Sequence, residues 1–168
     1  MTLEVPPNFN KIPLPLLTIN KLALLEKSTN TPPFYILIEG TNVVNDVVFY
    51  DIELCLQDDK NAVLNRITRR FSQIEKFHQA IKKVLEPKIK LPKLPPKKIF
   101  GTTNADFIKE RKDALQAYFN FYPTVQRIVF VEIFQVFFEL INMEKIKKDP
   151  DAVKRVEQER VLMNLTPQ

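Results

Sequence analysis

The sequence is poor in residues that hold a fold together covalently or through metal ions. Among its 168 residues there is no tryptophan, one cysteine and one histidine. Because Cys55 is alone, an intramolecular disulfide is excluded, and with His78 as its only companion a structural Cys/His zinc site is excluded too. We therefore expect no metal and no cofactor. A single free thiol also fits a reducing, cytosolic compartment.

Long apolar runs are absent as well. The first residues, MTLEVPPN, hold an acid and prolines where a secretion signal has basic residues and then an apolar stretch, so no such signal is expected. The most apolar run, Ile128 to Ile141, is shorter than the ~20 residues needed to span a bilayer and contains Glu132, Gln135 and Glu139. It is predicted to be a core element.

No group of residues in the sequence resembles a catalytic centre. His78 lies beside Phe77 in a predicted helix and Cys55 lies on a predicted strand, and neither has an acid-base partner close in sequence. There is also no RNP-like aromatic motif, zinc finger or basic recognition helix. We therefore expect a binding module rather than an enzyme, with no nucleic-acid partner.

The residues that are present suit one domain with flanking segments. A chain with 45% apolar and 27% charged positions can bury one ordinary core, and its net charge of +5 favours anionic partners. Changes in composition predict an N-terminal extension over residues 1–33, a domain over residues 34–142 and a charged, helical C-terminal tail over residues 143–168. Within the tail, Asp149 and Pro150 predict the start of a solvated helix.

Alternating apolar residues predict a three-stranded antiparallel meander. The segments at residues 34–39 and 47–57 have the pattern of strands with one buried face. The tetrad DDKN at residues 58–61 indicates a turn, and the third strand then places Val63 and Ile67 on one face.

A helical period begins where this third strand ends, at Arg70-Phe71. Ser72 and Glu75 have the spacing of a capping box. The residues that follow form an apolar helical stripe, which consists of Ile74, Phe77, Ile81 and Val84. The first helix is therefore expected to pack this stripe on the sheet.

A basic, proline-rich loop separates this helix from the next. Prolines at positions 87, 92, 95 and 96 exclude a helix and favour extended polyproline II geometry. A second long helix is predicted from about Thr103 to Tyr122, and short apolar helical segments follow over residues 128–141. The predicted fold is thus α+β: a three-stranded antiparallel β-meander packed against a helical subdomain, with a polyproline loop.

Arg111 interrupts the apolar side of the second helix. It stands four residues from both Phe107 and Leu115, so it shares their face. A partly buried arginine needs an anionic partner. The alternative is that its side chain reaches solvent or pairs with Glu110 or Asp113.

The segment Arg69-Arg70-Phe71-Ser72 brings charge and an aromatic ring to the strand-to-helix junction. A guanidinium fork there can grip phosphate oxygens, and the ring can support the apolar face of an inositol. The alternative is a solvated strand end with Phe71 in the core.

Three motifs occur in an order that resembles PX (phox-homology) domains. They are RRFS after a β-meander, then LPKLPPKKIFG, then ERKDALQAYF, and the resemblance covers Phe34 to Ile141. It implies a non-catalytic, sorting-nexin-like module that binds phosphoinositides. The sequence departs from the family where an acidic-aromatic pair usually follows the serine, since Gln73 and Ile74 stand there, and this departure bears on helix packing more than on the pocket.

The resemblance assigns a role to each candidate site residue. It implies that Arg70 grips the 3-phosphate, that Phe71 lies under the inositol ring and that Arg111 holds the 4- and 5-hydroxyls. Lys97 matches the lysine that contacts the 1-phosphate, and Lys98 is the alternative because the two lysines are adjacent.

The segment after these lysines is expected to meet the membrane. Ile99 and Phe100 match a part of the family that dips into the bilayer beside the head group, and the alternative is ordinary packing. Seven lysines would add attraction to anionic lipid or else remain solvated, namely those at 82, 83, 88, 90, 93, 97 and 98.

The expected function is membrane recruitment through phosphatidylinositol 3-phosphate on the cytosolic face of endosomal or vacuolar membranes, in vesicular trafficking or sorting. The alternative is a PX-like protein-protein interaction module with weak or no lipid binding. It would use the terminal extensions or the element Pro92-Lys-Leu-Pro95, which an SH3-type groove can read. Lipid binding requires Arg70 and Arg111, whereas SH3-type docking requires the prolines.

Overall fold

Three strands form an antiparallel sheet, as predicted. The computed structural model describes residues 3–4, 34–57, 63–98 and 101–165, so the turn predicted at residues 58–61 lies outside the described residues. The strands among these residues are β1 (Leu3–Glu4), β2 (Phe34–Val44), β3 (Val47–Leu56), β4 (Val63–Arg70) and β5 (Val125–Gln126). The sheet has the order β2-β3-β4, and β1 pairs with β5 in parallel.

The hairpin between β2 and β3 is longer than the sequence pattern predicts. Residues 41–44 of β2 pair with residues 47–50 of β3. The connecting residues Asn45 and Asp46 both have positive φ, 50° and 62°, as a two-residue hairpin turn requires when its twist matches that of the strands. Because Thr41 and Asn42 are polar, this part of the strand lacks the alternation of apolar residues that predicts a strand.

The prediction that Val63 and Ile67 share a buried face is wrong. Ile67 is buried, but Val63 is 40% exposed. The pairing of β4 with β3 shifts register between Leu54 and Cys55, at the start of β4. Because a bulge reverses the alternation of side chains, Val63 lies outside the face that Ile67 belongs to.

Five helices complete the fold, among the described residues. They are α1 (Phe71–Leu85), α2 (Ala105–Phe119), α3 (Glu132–Phe137), α4 (Met143–Ile146) and α5 (Pro150–Leu162), with 3₁₀ turns at Tyr122–Thr124 and Ile128–Phe130. The extended loop from residue 90 to residue 98 is free of helix, as its prolines predict. The α+β fold with a meander and a helical subdomain is therefore confirmed.

An aromatic cluster forms the centre of the helical subdomain. Phe77 of α1 stacks on Phe137 of α3, with 4.2 Å between ring centroids, and contacts Tyr122 at 5.5 Å. The predicted stripe of α1 is buried, since Ile74, Phe77 and Ile81 have no exposed surface. Burying such side chains stabilises the fold by about 1.5–3 kcal/mol each, which makes α1 a firm base for the residues at its N-terminus.

Helix α2 is tied to the edge of the sheet by the side chain of Gln116. Its amide nitrogen donates to the carbonyl oxygen of Ile36 at 2.7 Å, and its amide oxygen accepts from the backbone N–H of Ile38 at 2.8 Å. These are the two bonds that a neighbouring strand would make with β2. They fix the position of α2, and with it the position of Arg111.

Helix α5 begins as predicted but is not fully solvated. Asp149 is its N-cap and accepts from the backbone N–H of Ala152, and Pro150 is its first residue. The prediction of a solvated helix is wrong, however, because Ala152 and Val156 are buried against the core. The helix has an apolar face of only a few side chains, which is not evident in the sequence because most residues of the segment are charged.

Candidate functional site

The junction between β4 and α1 places Arg70 at the start of a helix. Arg70 is the last residue of β4 and the N-cap of α1, and its backbone N–H donates to the side-chain oxygen of Gln73 at 2.9 Å. The prediction that Ser72 and Glu75 form the capping box is therefore wrong, because the helix begins two residues earlier and its third residue is Gln73. The guanidinium of Arg70 is left at the surface, beside the helix N-terminus.

The two arginines of the RRFS motif have different surroundings. Arg69 is buried and donates to the carbonyl oxygen of Phe137 at 2.6 Å, with the carboxylate of Glu139 at 3.5 Å. Burial lowers the pKa of Arg69, and the charge of Glu139 opposes that shift. Arg70 is exposed, and no carboxylate in the described ranges pairs with its side chain. Arg69 therefore belongs to the core, and Arg70 remains able to bind an anion.

The proline loop brings lysines to the same place. Its apolar residues Ile89 and Leu91 are buried, and Leu94 packs partly against the core. These contacts hold the extended loop against the domain, so that Lys97 and Lys98 arrive beside the β4–α1 junction.

Arg111 lies between two aromatic rings. Its guanidinium carbon is 3.9 Å from the ring centroid of Phe71 and 4.5 Å from that of Phe107. One terminal nitrogen donates to the carbonyl oxygen of Pro96 at 3.0 Å. The side chain is 7% exposed and pairs with neither Glu110 nor Asp113 within the described residues. The rings and the proline loop thus hold the guanidinium in one orientation, as cation–π contacts favour.

The electrostatics of Arg111 involve a residue that the sequence pattern did not indicate. Burial lowers the pKa of Arg111, whereas the neighbouring hydroxyl of Tyr50 raises it. Burial likewise raises the pKa of Tyr50 itself. Because arginine stays protonated even so, the result is a fixed, partly desolvated positive charge. Its Nε is buried without a hydrogen-bond partner in the part of the chain that is described.

These side chains surround one cleft of about 160 Å³. Its charged lining consists of four cations and one carboxylate, which is that of Asp46 in the hairpin turn. The full lining is Asp46, Val47, Val48, Tyr50, Arg70, Phe71, Ser72, Lys97, Lys98, Thr102 and Arg111. The cleft therefore combines donors for anionic oxygens with an aromatic ring and a valine wall, which suits a ligand with anionic groups on an otherwise uncharged ring.

The structure distinguishes the two lysines of the loop. The ammonium of Lys98 lies 4.2 Å from the ring centroid of Phe107, on the ring that also contacts Arg111. No ion pair or ring contact engages Lys97 among the described residues, and its side chain is exposed at the cleft. Lys97 is thus the more available of the two. Ile99 and Phe100 lie outside the described residues.

Sequence reasoning found five of the residues that line the cleft and missed three that shape it. Tyr50 was read as a core residue of β3, and Phe107 as part of the apolar side of α2. Asp46 lay in a segment without a strand pattern. The signal for Asp46 was the Asn-Asp pair between valine doublets, which is typical of a hairpin turn.

The described residues hold neither a grouped set of metal ligands nor a membrane-spanning helix. Among them, no three or more histidine, cysteine or acidic side chains are grouped so as to hold a metal ion. No helix among them is both long enough and apolar enough to span a membrane.

Comparison with known proteins points to the same segment. Residues 60–140 match the family model described as the PX domain, and this range includes Arg70, Lys97 and Arg111. Over 62 residues the chain is 48% identical to a probable serine/threonine-protein kinase of Dictyostelium discoideum, an alignment that covers 34% of this chain and 3% of the kinase. The similarity therefore spans only a small part of that protein's length.

Proposed function

This chain contains a PX domain, a phosphoinositide-binding and membrane-targeting module, and we propose that its cleft recognises phosphatidylinositol 3-phosphate. A domain of this kind binds lipid and is not typically catalytic, so its action is peripheral association with a membrane. We further propose that the membrane is the cytosolic face of an endosomal or vacuolar compartment and that the protein acts there in vesicular trafficking or sorting.

The observation that carries the proposal is the convergence of Arg70, Phe71, Lys97 and Arg111 on one cleft. The guanidinium of Arg70 has no ion pair with any described residue and is proposed to bind the 3-phosphate, and Lys97 is proposed to bind the 1-phosphate that joins the inositol to the lipid. Phe71 offers a ring face to the inositol. A guanidinium and an ammonium on either side of a ring match two phosphates on a sugar.

Arg111 supports a preference for a head group without phosphates at positions 4 and 5. One of its donors is already used by the carbonyl oxygen of Pro96, and two rings prevent the guanidinium from turning. The remaining donors suit hydroxyl groups in a fixed position. Donors held in this way are less able to adjust to a bulkier, doubly charged phosphate at position 4 or 5.

The surroundings of the cleft favour contact with a bilayer. Val43 and Val44, at the hairpin next to Asp46, are about half exposed at 50% and 53%. The proline loop carries exposed lysines at positions 88, 90, 93, 97 and 98, of which Lys97 and Lys98 line the cleft. Each would contribute roughly 1 kcal/mol of attraction to an anionic surface. We propose that Ile99 and Phe100, which follow these lysines, insert into the bilayer and add about 1.5–3 kcal/mol each.

The rival function is protein docking through the proline loop. Pro92 and Pro95 are both partly buried, and the leucines beside them pack on the core. An SH3-type groove would have to bind these same proline faces. The packing therefore favours a structural role for the loop, which leaves the terminal extensions as the other proposed route to protein partners.

Co-sedimentation with liposomes tests the proposal. The full chain, Arg70→Ala and Arg66→Ala are compared at physiological salt on vesicles that each contain one phosphoinositide. Arg66 is the matched control because it lies on the same strand, pairs with Glu53 and is outside the cleft. Binding by wild type and Arg66→Ala that is lost in Arg70→Ala would support the proposal.

Two other results would redirect it. Equal binding by all three proteins would mean that charge alone, and not the cleft, attracts the protein to membranes. If no vesicle is bound, the variants Pro92→Ala and Pro95→Ala should be tested for loss of an SH3-type partner.

A further inference from the structure

The end of helix α5 touches the residues that follow Arg70. The side-chain nitrogen of Gln73 donates to the carbonyl oxygen of Asn164 at 2.8 Å, while the oxygen of the same amide accepts from the backbone N–H of Arg70 at 2.9 Å. One side chain thus bridges the turn after α5 and the residue expected to hold the 3-phosphate. Arg70 and Asn164, which Gln73 connects in this way, are 94 positions apart in the sequence.

A second connection joins the same two regions through charge. The carboxylate of Glu139 lies 3.5 Å from Arg69 and 3.7 Å from Arg160 near the end of α5. Arg69 immediately precedes Arg70. Both residues at the end of β4 are therefore linked to the C-terminal helix, one through a glutamine amide and one through a shared carboxylate.

The turn after α5 is itself held firmly. Met163 has no exposed surface and Leu165 is 6% exposed, so both anchor the turn in the core. Between them, Asn164 has φ of 57°, and the backbone N–H of Leu165 donates to the carbonyl oxygen of Arg160 at 2.8 Å. This is the backbone arrangement of a helix that ends in a left-handed residue. The carbonyl oxygen of Asn164, which accepts from Gln73, is consequently held in place by the turn.

We infer that Gln73 is a positioning residue of the cleft, through which the turn after α5 sets the orientation of Arg70. The inference rests on the proposed function. Gln73 lies outside the cleft lining, so it acts on the head group only through Arg70. It follows that the C-terminal segment regulates lipid binding: whatever displaces the turn at residues 163–165 also weakens the hold on the 3-phosphate.

Two substitutions of Gln73 distinguish its hydrogen bond to Arg70 from its hydrogen bond to Asn164. Gln73→Met keeps the size of the side chain and removes both hydrogen bonds, whereas Gln73→Glu keeps the acceptor for the N–H of Arg70 and removes the donor to Asn164. Gln79→Met is the matched control, because Gln79 is exposed on the same helix. The ligand is a soluble short-chain phosphatidylinositol 3-phosphate, and its affinity for the full chain is measured by titration calorimetry.

Gln73→Met is expected to bind the soluble lipid about tenfold more weakly than wild type, since the loss of two ordinary hydrogen bonds is of this order. Gln73→Glu should recover most of the affinity, and Gln79→Met should match wild type. Binding to phosphatidylserine vesicles without phosphoinositide should be the same in wild type, Gln73→Met and Gln79→Met, which carry equal charge, because it does not depend on the orientation of Arg70. A merely structural role for Gln73 would not weaken binding of the soluble lipid while leaving binding to phosphatidylserine vesicles unchanged.

The same coupling can be tested from the other end. Asn164→Val disfavours the left-handed backbone at that position, whereas Asn164→Gly retains it. Asn164→Val should therefore bind the soluble lipid more weakly than Asn164→Gly, although neither change is near the cleft.

The binding measurements distinguish a failure of the role proposed for Gln73 from a failure of the proposed lipid binding. If wild type binds but Gln73→Met binds equally well, the inference is overturned and the proposed function stands. If wild type binds no phosphoinositide, both are overturned. Amide hydrogen exchange at Arg70 gives a readout without ligand: its protection should fall in Gln73→Met and not in Gln79→Met, and unchanged protection would contradict the bridge.

Discussion

The guanidinium carbon of Arg111 lies over the ring of Phe71, 3.9 Å from its centroid. This contact joins α2 to the first residue of α1, so the two helices meet at the cleft through a cation and a ring. Phe107 covers the other side of the same guanidinium. The charge is therefore fixed in direction before any ligand arrives, which reduces the ordering that binding requires.

The first prediction concerns the shape of this cation. Arg111→Lys keeps the charge but loses the planar group that stacks between the rings and donates to Pro96. We expect the affinity for soluble phosphatidylinositol 3-phosphate to fall about tenfold or more, in line with the ~0.5–2 kcal/mol of a cation–π contact and the loss of a directed hydrogen bond. Titration calorimetry measures this, with Arg66→Lys as control. Unchanged affinity would show that only the charge matters.

The second prediction separates the adjacent arginines. Arg69→Ala leaves the carbonyl oxygen of Phe137 without its donor and Glu139 with Arg160 alone, and it should lower the free energy of unfolding by about 2–4 kcal/mol. Arg70→Ala should change it by only about 0.5 kcal/mol while abolishing lipid binding. Urea unfolding followed by circular dichroism gives both values. Equal destabilisation by the two variants would contradict the division of roles.

The third prediction separates the adjacent lysines. Lys98 lies over the ring of Phe107, whereas Lys97 has no such contact with the residues that the structure describes. Lys97→Met should therefore weaken binding of the soluble lipid about tenfold and Lys98→Met only about twofold. Both affinities are measured by calorimetry at the same ionic strength. The reverse order would mean that Lys98 contacts the 1-phosphate and that the register of the doublet is shifted by one.

The fold was largely predictable from the sequence because its elements have strong local patterns. The stripe of α1 and the prolines of the loop each exclude other structures. Three features needed tertiary information. The reach of β2 to Val44 depends on pairing with β3, the exposure of Val63 depends on a bulge, and the burial of one face of α5 depends on its packing against α3.

The sequence predicts which types of residue form the site, but it does not predict which of two adjacent arginines or lysines faces the cleft. The motif gives two arginines and two lysines, but only the three-dimensional arrangement shows that Arg69 is a core residue and that Lys98 lies on Phe107. The roles of Gln73 and Tyr50 depend on partners far away in sequence, Asn164 and Arg111. Such contacts leave no local signal.

The fourth prediction concerns pH. Burial, together with the nearby carboxylate of Glu132, raises the pKa of Glu159 to about 8, while Arg155 opposes the shift. The folded protein therefore holds a proton that the unfolded chain releases above its ordinary value of 4.5. This contribution to stability is complete below that value and is lost as pH rises through about 8. Hence the free energy of unfolding should decrease from pH ~5.5 to pH ~8.5.

The substitution Glu159→Gln tests this assignment, because the amide is neutral at every pH. Urea unfolding of the variant should be less dependent on pH than that of wild type and should show its gain at the alkaline end. Parallel pH profiles for the two proteins would place the titration elsewhere.

The most direct test of the central claim compares two lipids of equal charge. Vesicles that contain phosphatidylinositol 3-phosphate or phosphatidylinositol 4-phosphate, at the same mole fraction in the same background, differ only in the position of one phosphate. The affinity of the full chain for each is measured at physiological salt. The proposed binding mode predicts a strong preference for the 3-phosphate isomer, because in it Arg70 binds that phosphate and Arg111 donates hydrogen bonds to the hydroxyls beside it. Equal affinity for both isomers would contradict the account.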